Sequence, residues 1–328
     1  MSDLDLDAVL SEPAFFPHRI DVENNQIVFV PTFPEWLARP SFIDGRSDFS
    51  AGPSLTFPLD AVLAAGEERP AGPDRMIFHV SFCGSTLLAR MLELPGSAFV
   101  LKEPNALVDL ADLKKAGGQI GPALEWLRAS LRRRWQADEP VVVKPSNWAN
   151  NLLPELTADP AAIRPVFVTM ARRPFLIAVL RGGRDRLAFT ARAAAHLAPA
   201  AQLQAAISAS DDPLTRAVHL AAVTLYVQMS AFAAVCRKGQ AIDAAELTGA
   251  PVEAALTTNR MLDLGIDPEL LARNAASKSG EDSKNPGRAF TPAGRASDDD
   301  SVEQHHGSML DSVLVWAERV LGPHPSLG

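Results

Sequence analysis

The residues with the clearest chemical potential lie in one run. Met76-Ile77-Phe78-His79-Val80 leads straight into Ser81-Phe82-Cys83-Gly84-Ser85-Thr86, and Leu87-Leu88-Ala89-Arg90-Met91-Leu92 follows. An apolar strand, a tight turn with glycine, a hydroxyl pair and a helix aim backbone N–H groups and a positive helix end at one point. That arrangement binds phosphate. The Ser85 and Thr86 hydroxyls would add two donors. The same residues also suit a plainer use, with Ser85 capping a helix and Gly84 turning the chain. A nucleoside-triphosphate loop of the form G-x-x-x-x-G-K-[ST] would place glycine at His79 and lysine at Ser85, so the run disfavours ATP chemistry.

Further candidates stand at the ends of other apolar runs. Glu103 follows a strand-like segment over 98–102 and precedes Pro104; it is a candidate general base, or else an acid that is solvated or paired with Lys102. Lys144 follows three valines and should emerge at the carboxyl edge of a sheet, where open α/β folds bind ligands. Arg172 and Arg173 are adjacent, so they cannot face the same way; one is expected to hold phosphate and the other to be structural. His79, inside a strand, reads as a core histidine, and His305-His306 as surface. Cys83 lies in a helix N-terminal turn that could lower its thiol pKa, although a nucleophilic thiol would need a base nearby.

These segments resemble, in order, the motifs of sulfotransferases that use 3′-phosphoadenosine 5′-phosphosulfate (PAPS). Cys83-Gly84-Ser85-Thr86-Leu87-Leu88 is similar to the second half of that family's strand-[KR]-[SC]-G-[ST]-[ST]-helix loop. Leu101-Lys102-Glu103-Pro104 resembles the segment where many members carry a glutamate. Val143-Lys144-Pro145-Ser146-Asn147 resembles their strand-K-[ST]-P element, and Val168-Thr169-Met170-Ala171-Arg172-Arg173-Pro174 their strand-R-x-P element. Ala245-Glu246-Leu247, Pro251 and Leu264-Gly265 resemble the family's closing motif. The resemblance covers roughly residues 75 to 321 and is weakest between 187 and 240.

The resemblance implies that Phe82, Cys83, Gly84, Ser85 and Thr86 line the cofactor's 5′-phosphosulfate, and that Arg172 binds its 3′-phosphate. Glu103 would be the base and Lys144 would stabilise the sulfonate in transfer. The implied chemistry uses PAPS, releases 3′,5′-ADP, requires no metal and acts on a small hydroxyl or amine acceptor. Lys278, Lys284 and Arg288 correspond to a basic loop that closes over the cofactor in related enzymes. Two positions depart from the pattern. Phe82 replaces the basic loop residue that contacts the leaving phosphate, a deficit that Lys144 or Arg90 would have to make good. Leu180 replaces a 3′-phosphate-binding serine, and Arg181 beside it is a substitute. Two other readings therefore stay open: a nucleotide-binding protein with weak catalysis, and a phosphotransferase with an atypical loop.

The elements that must position these groups form an α/β pattern. Strands are expected at 76–80, 98–102, 141–144 and 166–170, with a weaker one at 241–245. They are continuous apolar runs, as strands buried on both faces should be, and they alternate with helical segments over 85–94, 106–115, 122–135 and 175–186. This predicts a parallel central sheet flanked by helices, P-loop-like and of sulfotransferase type, over residues 75–328, with an Ala-rich helical insertion at 187–240. Residues 1–74 read as an appendage: a hairpin over 20–30 turning at Asn24-Asn25, then loops with one short helix over 44–75. The appendage and the insertion are expected to wall the acceptor pocket. Asp212 should cap the last helix of the insertion, with Pro213 in its first turn and Gly239 after its end. Residues 274–300 read as a mobile loop, and a closing helix should start near Ser301.

Composition sets the remaining limits. The 328 residues are 47% hydrophobic and carry a net charge of −8, which argues against a general binder of nucleic acid or anionic membrane. The two cysteines, Cys83 and Cys236, give no metal-ligand spacing and no disulfide framework. The acidic N-terminus lacks the order of a signal peptide. The uncharged stretch over 217–236 contains His219, Thr224, Gln228 and Ser230, and reads as a core helix rather than a membrane span. The cytoplasm is the expected compartment; no oligomeric state is legible.

Overall fold

The computed structural model describes residues 5–46, 48–66, 71–281 and 291–327. After a short helix, Leu6–Ser11, come three short strands, β1 (Phe15–Asp21), β2 (Gln26–Pro31) and β3 (Leu55–Pro58), joined in an antiparallel sheet in the order β1-β2-β3. Asn25 takes the left-handed φ of 53° that the tight turn demands, and the Asp21 carboxylate accepts from the Asn24 backbone and side chain. The hairpin is as expected. β3 lies where only loops and a helix were foreseen; the short helix Leu59–Ala65 follows it.

The five expected strands of the main sheet all form: β4 (Asp74–His79), β5 (Phe99–Lys102), β6 (Val141–Lys144), β7 (Ile163–Thr169) and β8 (Ala241–Asp243). They are all parallel, in the order β5-β6-β4-β7-β8, with helices between consecutive strands. Ile77, Phe78, Val142, Val166 and Phe167 are fully buried, which is why their runs show no alternation with polar residues. Chain order reverses around β4: the next connection goes to β5 on one side, and β6 later crosses β4 to reach β7. Ligands in open sheets sit at the carboxyl ends of strands flanking such a reversal. The antiparallel sheet is tied to this body through Asp109 of the helix Asn105–Lys115. Its carboxylate accepts from Arg19 Nε at 2.9 Å and from the Ile20 backbone at 2.9 Å.

Three helical boundaries differ from expectation. The segment expected over 175–186 is two helices, Arg172–Arg181 and Gly183–Leu197, broken at Gly182-Gly183 where Gly183 turns to a φ of 61°. The one expected over 122–135 is Gly121–Ser130. Of the region expected as a mobile loop, 282–290 lie outside the described residues and both flanks are helical: Pro268–Ser279 is capped by the Asp267 side chain, and the last helix, Pro292–Val320, starts nine residues before Ser301 and is capped by Thr291. The helix Pro213–Val235 is capped by Asp212, which accepts from the Thr215 amide at 2.8 Å. By length and composition it could cross a membrane, yet 56% of its most apolar window is buried inside the protein.

Candidate functional site

A cleft of about 790 Å³ opens at the carboxyl ends of β4 and its neighbours. Its floor is the loop after β4. Phe82 and Gly84 adopt left-handed φ values of 63° and 88°, which fold the chain back under the helix Ser85–Leu92. A Cβ on Gly84 would lie 3.1 Å from Leu247 Cδ2, so both the backbone angle and the space call for glycine. The first amides bonded within the helix are those of Leu87 and Leu88, both to the Gly84 carbonyl. The preceding N–H groups belong to the helix end that attracts anions. Ser85 and Thr86 line the cleft with Phe82 and Gly84, as the sequence suggested. Cys83 does not: it is buried, its thiol donates to the Val80 carbonyl at 3.0 Å, and burial pushes its pKa up. The expected lowering at a helix N-terminus is overridden by desolvation.

Glu103 faces this loop. β5 and β6 pair Lys102 with Lys144, and the Glu103 amide donates to the Lys144 carbonyl at 2.7 Å. That register swings Glu103, at a φ of 61°, onto Lys144, whose ammonium donates to Oε1 at 2.5 Å. Both residues are buried; Glu103 borders the cleft, whereas Lys144 is completely buried behind it and is not a lining residue. Arg46 Nη2 lies 3.5 Å from the other carboxylate oxygen. Burial would raise the Glu103 pKa, but the Lys144 ammonium first and Arg46 after it outweigh burial and hold the group below its ordinary value. Lys102, the partner weighed for Glu103, turns to the other side of the strand, where its ammonium donates to Glu93 at 2.8 Å and to the Ala38 carbonyl at 2.7 Å. His79 is the buried strand histidine expected, yet it also borders the cleft with Nε2 3.7 Å from Glu103 Oε1. Burial and Lys144 push its pKa down to about 3, so its imidazole is neutral.

A polar bracket behind the loop keeps it in place. Asn147 donates to Ser81 Oγ at 2.8 Å, and Asn150 donates to the His79 carbonyl at 3.1 Å. Both amides also donate to Gln228 Oε1, at 3.3 and 3.0 Å, on the helix Pro213–Val235. Buried polar groups of this kind stabilise only when each finds a partner.

The predicted arginines divide. Arg172 does not line the cleft; it donates to Glu318 at 3.3 Å and to the Gly322 carbonyl at 3.1 Å, because the first turn of its helix packs on the C-terminal one. Arg173 pairs with Glu303 and Asp311, each at 2.7 Å. Arg90 pairs with Glu281 at 3.1 Å rather than facing the loop. Lys278 lies in the helix Pro268–Ser279 and is not a lining residue; Lys284 and Arg288 fall outside the described residues. Arg181 does border the cleft, paired with Asp299. Two further arginines join it that the sequence reading missed. Arg186 places its guanidinium carbon 4.7 Å from the centre of the Phe82 ring, and Arg295 comes from the last helix. Burial, then the neighbouring arginines, lowers the pKa of both. The opposite wall carries Phe42, Asp44, Arg46, Val108 and Trp148. Trp148 stacks on His196 with ring centres 4.3 Å apart.

No family model matches the chain, and no curated protein matches it by sequence. Solved structures similar to the chain at a low level include two sulfotransferases. A sulfotransferase from Alicyclobacillus acidocaldarius is 11% identical, with 77% of this chain and 96% of that one covered and a TM-score of 0.38. The sulfotransferase domain from the curacin biosynthetic pathway is 12% identical, with 79% and 100% covered and a TM-score of 0.39. Identity and overlap this low carry no argument about function, which rests on the cleft itself.

Proposed function

We propose that this chain is a sulfotransferase-like enzyme that moves a sulfonate from PAPS to the hydroxyl or amine of a small acceptor and releases 3′,5′-ADP. The observation that carries the reading is the meeting, in one cleft, of an anion-binding loop without a kinase lysine and Glu103, which the buried Lys144 holds from behind. The residues fit a polyanionic donor. Arg181, Arg186 and Arg295 crowd beside the loop, and burial and mutual repulsion disfavour the charges of the latter two. A bound polyanion relieves that repulsion.

The donor supplies a sulfonyl group attached to a phosphate leaving group. The loop amides and the Ser85 and Thr86 hydroxyls hold the phosphate end, and the arginines neutralise it. Glu103 is ionised and accepts the acceptor's proton as the new bond to sulfur forms and the bond from sulfur to the bridging phosphate oxygen breaks. Lys144 holds the carboxylate in line before that step; once Glu103 is neutral, the buried ammonium offsets the charge on the sulfonate from behind the carboxyl group. The aromatic wall of Phe42 and Trp148 receives the acceptor.

A second reading, nucleotide binding without turnover, draws on the depressed Glu103 pKa, since a carboxylate already satisfied by Lys144 and Arg46 is a weak base. Release of 3′,5′-ADP from PAPS in the presence of pooled small alcohols, phenols and amines separates the two. The wild type should turn over, and Glu103→Gln should be slower by about 10²- to 10⁴-fold with 3′,5′-ADP affinity retained. A fully active Glu103→Gln enzyme would remove Glu103 as the base.

A further inference from the structure

The loop carries Phe82 where the resembled enzymes place a cation. We propose that Arg186, reaching in from the neighbouring helix Gly183–Leu197, supplies that missing charge and binds the 5′-phosphate of the nucleotide, with Phe82 as its platform and Gly182 as the gap through which it passes. The proposal deepens the sulfotransferase reading and rests on it for the identity of the nucleotide.

Three observations converge. The Arg186 guanidinium lies over the Phe82 ring at 4.7 Å, within the range of cation–π attraction, and both residues border the cleft beside Ser85 and Thr86. The ring is itself fixed, with Phe175 and Phe189 centred 6.0 and 5.9 Å away. So the left-handed loop residue, useless as a donor, serves as a rigid surface that orients the guanidinium.

The second observation is the route of the side chain. A Cβ built on Gly182 would fall 2.0 Å from Arg186 Cδ, 2.3 Å from Nε and 2.4 Å from Cγ. The arginine stem therefore lies directly across the Cα of Gly182, and only glycine at 182 leaves it that path. The φ of Gly182 is −83°, which any residue adopts, so the backbone gives no reason for glycine there. The space taken by Arg186 gives one.

The third observation is charge. Arg186 Nη1 donates to the Ala178 carbonyl at 2.6 Å, which anchors one edge of the fork. Among the described residues no carboxylate forms an ion pair with Arg186, whereas Arg181 and Arg295 both pair with Asp299. Its pKa is lowered by burial first and by Arg181 and Arg295 after it. Asp299 raises it only partly, so a half-buried guanidinium with no direct ion pair among the described residues, beside a helix N-terminus, is a site for a phosphate group.

The test is titration calorimetry on the full chain with three probes: 3′,5′-ADP, adenosine 3′-monophosphate and inorganic pyrophosphate. Arg186→Gln should weaken 3′,5′-ADP by about ten- to a hundredfold, the range for one charge-assisted contact, and leave the 3′-monophosphate nearly unchanged. Arg186→Lys should recover part of the loss. Gly182→Ala should reproduce the loss with Arg186 intact, because it closes the path of the stem; its unfolding midpoint should stay near that of the wild type. Equal weakening of both nucleotides, or full affinity in Arg186→Gln, would overturn the assignment. Pyrophosphate separates this claim from the nucleotide reading. If the wild type binds pyrophosphate but neither nucleotide, the sulfotransferase reading fails; the phosphate-binding role of Arg186 then stands if Arg186→Gln weakens pyrophosphate and falls if it does not. A wild type that binds none of the three overturns both.

Discussion

Glu103 and Lys144 end adjacent parallel strands, and the pairing of Lys102 with Lys144 brings the carboxylate of one onto the ammonium of the other. Both were legible because each terminates a continuous apolar run, and a charged residue at that place must emerge at the carboxyl edge of the sheet. Their direct contact was not legible, because it needs the left-handed turn at Glu103 that no residue type announces. Arg172 shows the opposite case. Its motif was visible, but the packing of its helix on the last helix turns the side chain away from the cleft. His79 gives a prediction at this scale. Its imidazole titrates near 6.5 when unfolded and near 3 when folded, so below about pH 6.5 the unfolded chain binds the proton first and stability falls with pH. One such site contributes a slope of about 1.4 kcal/mol per pH unit. His18, His196, His219 and His324 are also lowered and act in the same direction. Denaturant unfolding at about pH 6 and pH 5 should therefore show a shallower slope for His79→Asn than for the wild type. An unchanged slope would mean that His79 is protonated in the folded protein.

The helix Pro213–Val235 reaches the functional loop through one side chain. Gln228 accepts from Asn147 and Asn150, which in turn hold Ser81 and the His79 carbonyl. Gln228→Leu keeps the volume but strands two buried amide donors, at a cost of about 1–3 kcal/mol each where no water replaces the partner. It should lower the unfolding free energy and also weaken pyrophosphate binding at a loop it does not touch; a loss of stability with unchanged anion affinity would make the bracket purely structural. Thr224 and Gln228 were legible as polar residues of a core helix, but the link from Gln228 to the loop was not. Other elements were harder to read. β3 is four residues long and too short for its alternation to stand out. The first turns of the last helix are rich in Ser, Asp, Gly and Ala, a composition that reads as a loop; the Thr291 cap and the packing of its later turns against the body make it a helix. Arg186 and Arg295 were hidden for the same reason, since no spacing links helices that meet only in three dimensions.

For the whole molecule, the net charge of −8 is not carried by the cleft, whose lining sets Arg46, Arg181, Arg186 and Arg295 against Asp44, Glu103, Glu281 and Asp298. Arg181, Arg186 and Arg295 gather on one wall of the cleft, while Glu303, Asp311 and Glu318 of the last helix are occupied with Arg173 and Arg172 outside it. Beside the loop those three guanidiniums attract an anionic ligand locally, and salt screens that attraction. The most direct measurement of the central claim is calorimetric titration of the full chain with 3′,5′-ADP at low and high salt, beside ATP with magnesium. 3′,5′-ADP should bind, salt should weaken it, and ATP with magnesium should bind at least about tenfold more weakly, a difference of about 1.4 kcal/mol. Preference for ATP with magnesium, or no binding of 3′,5′-ADP at either salt, would contradict that claim.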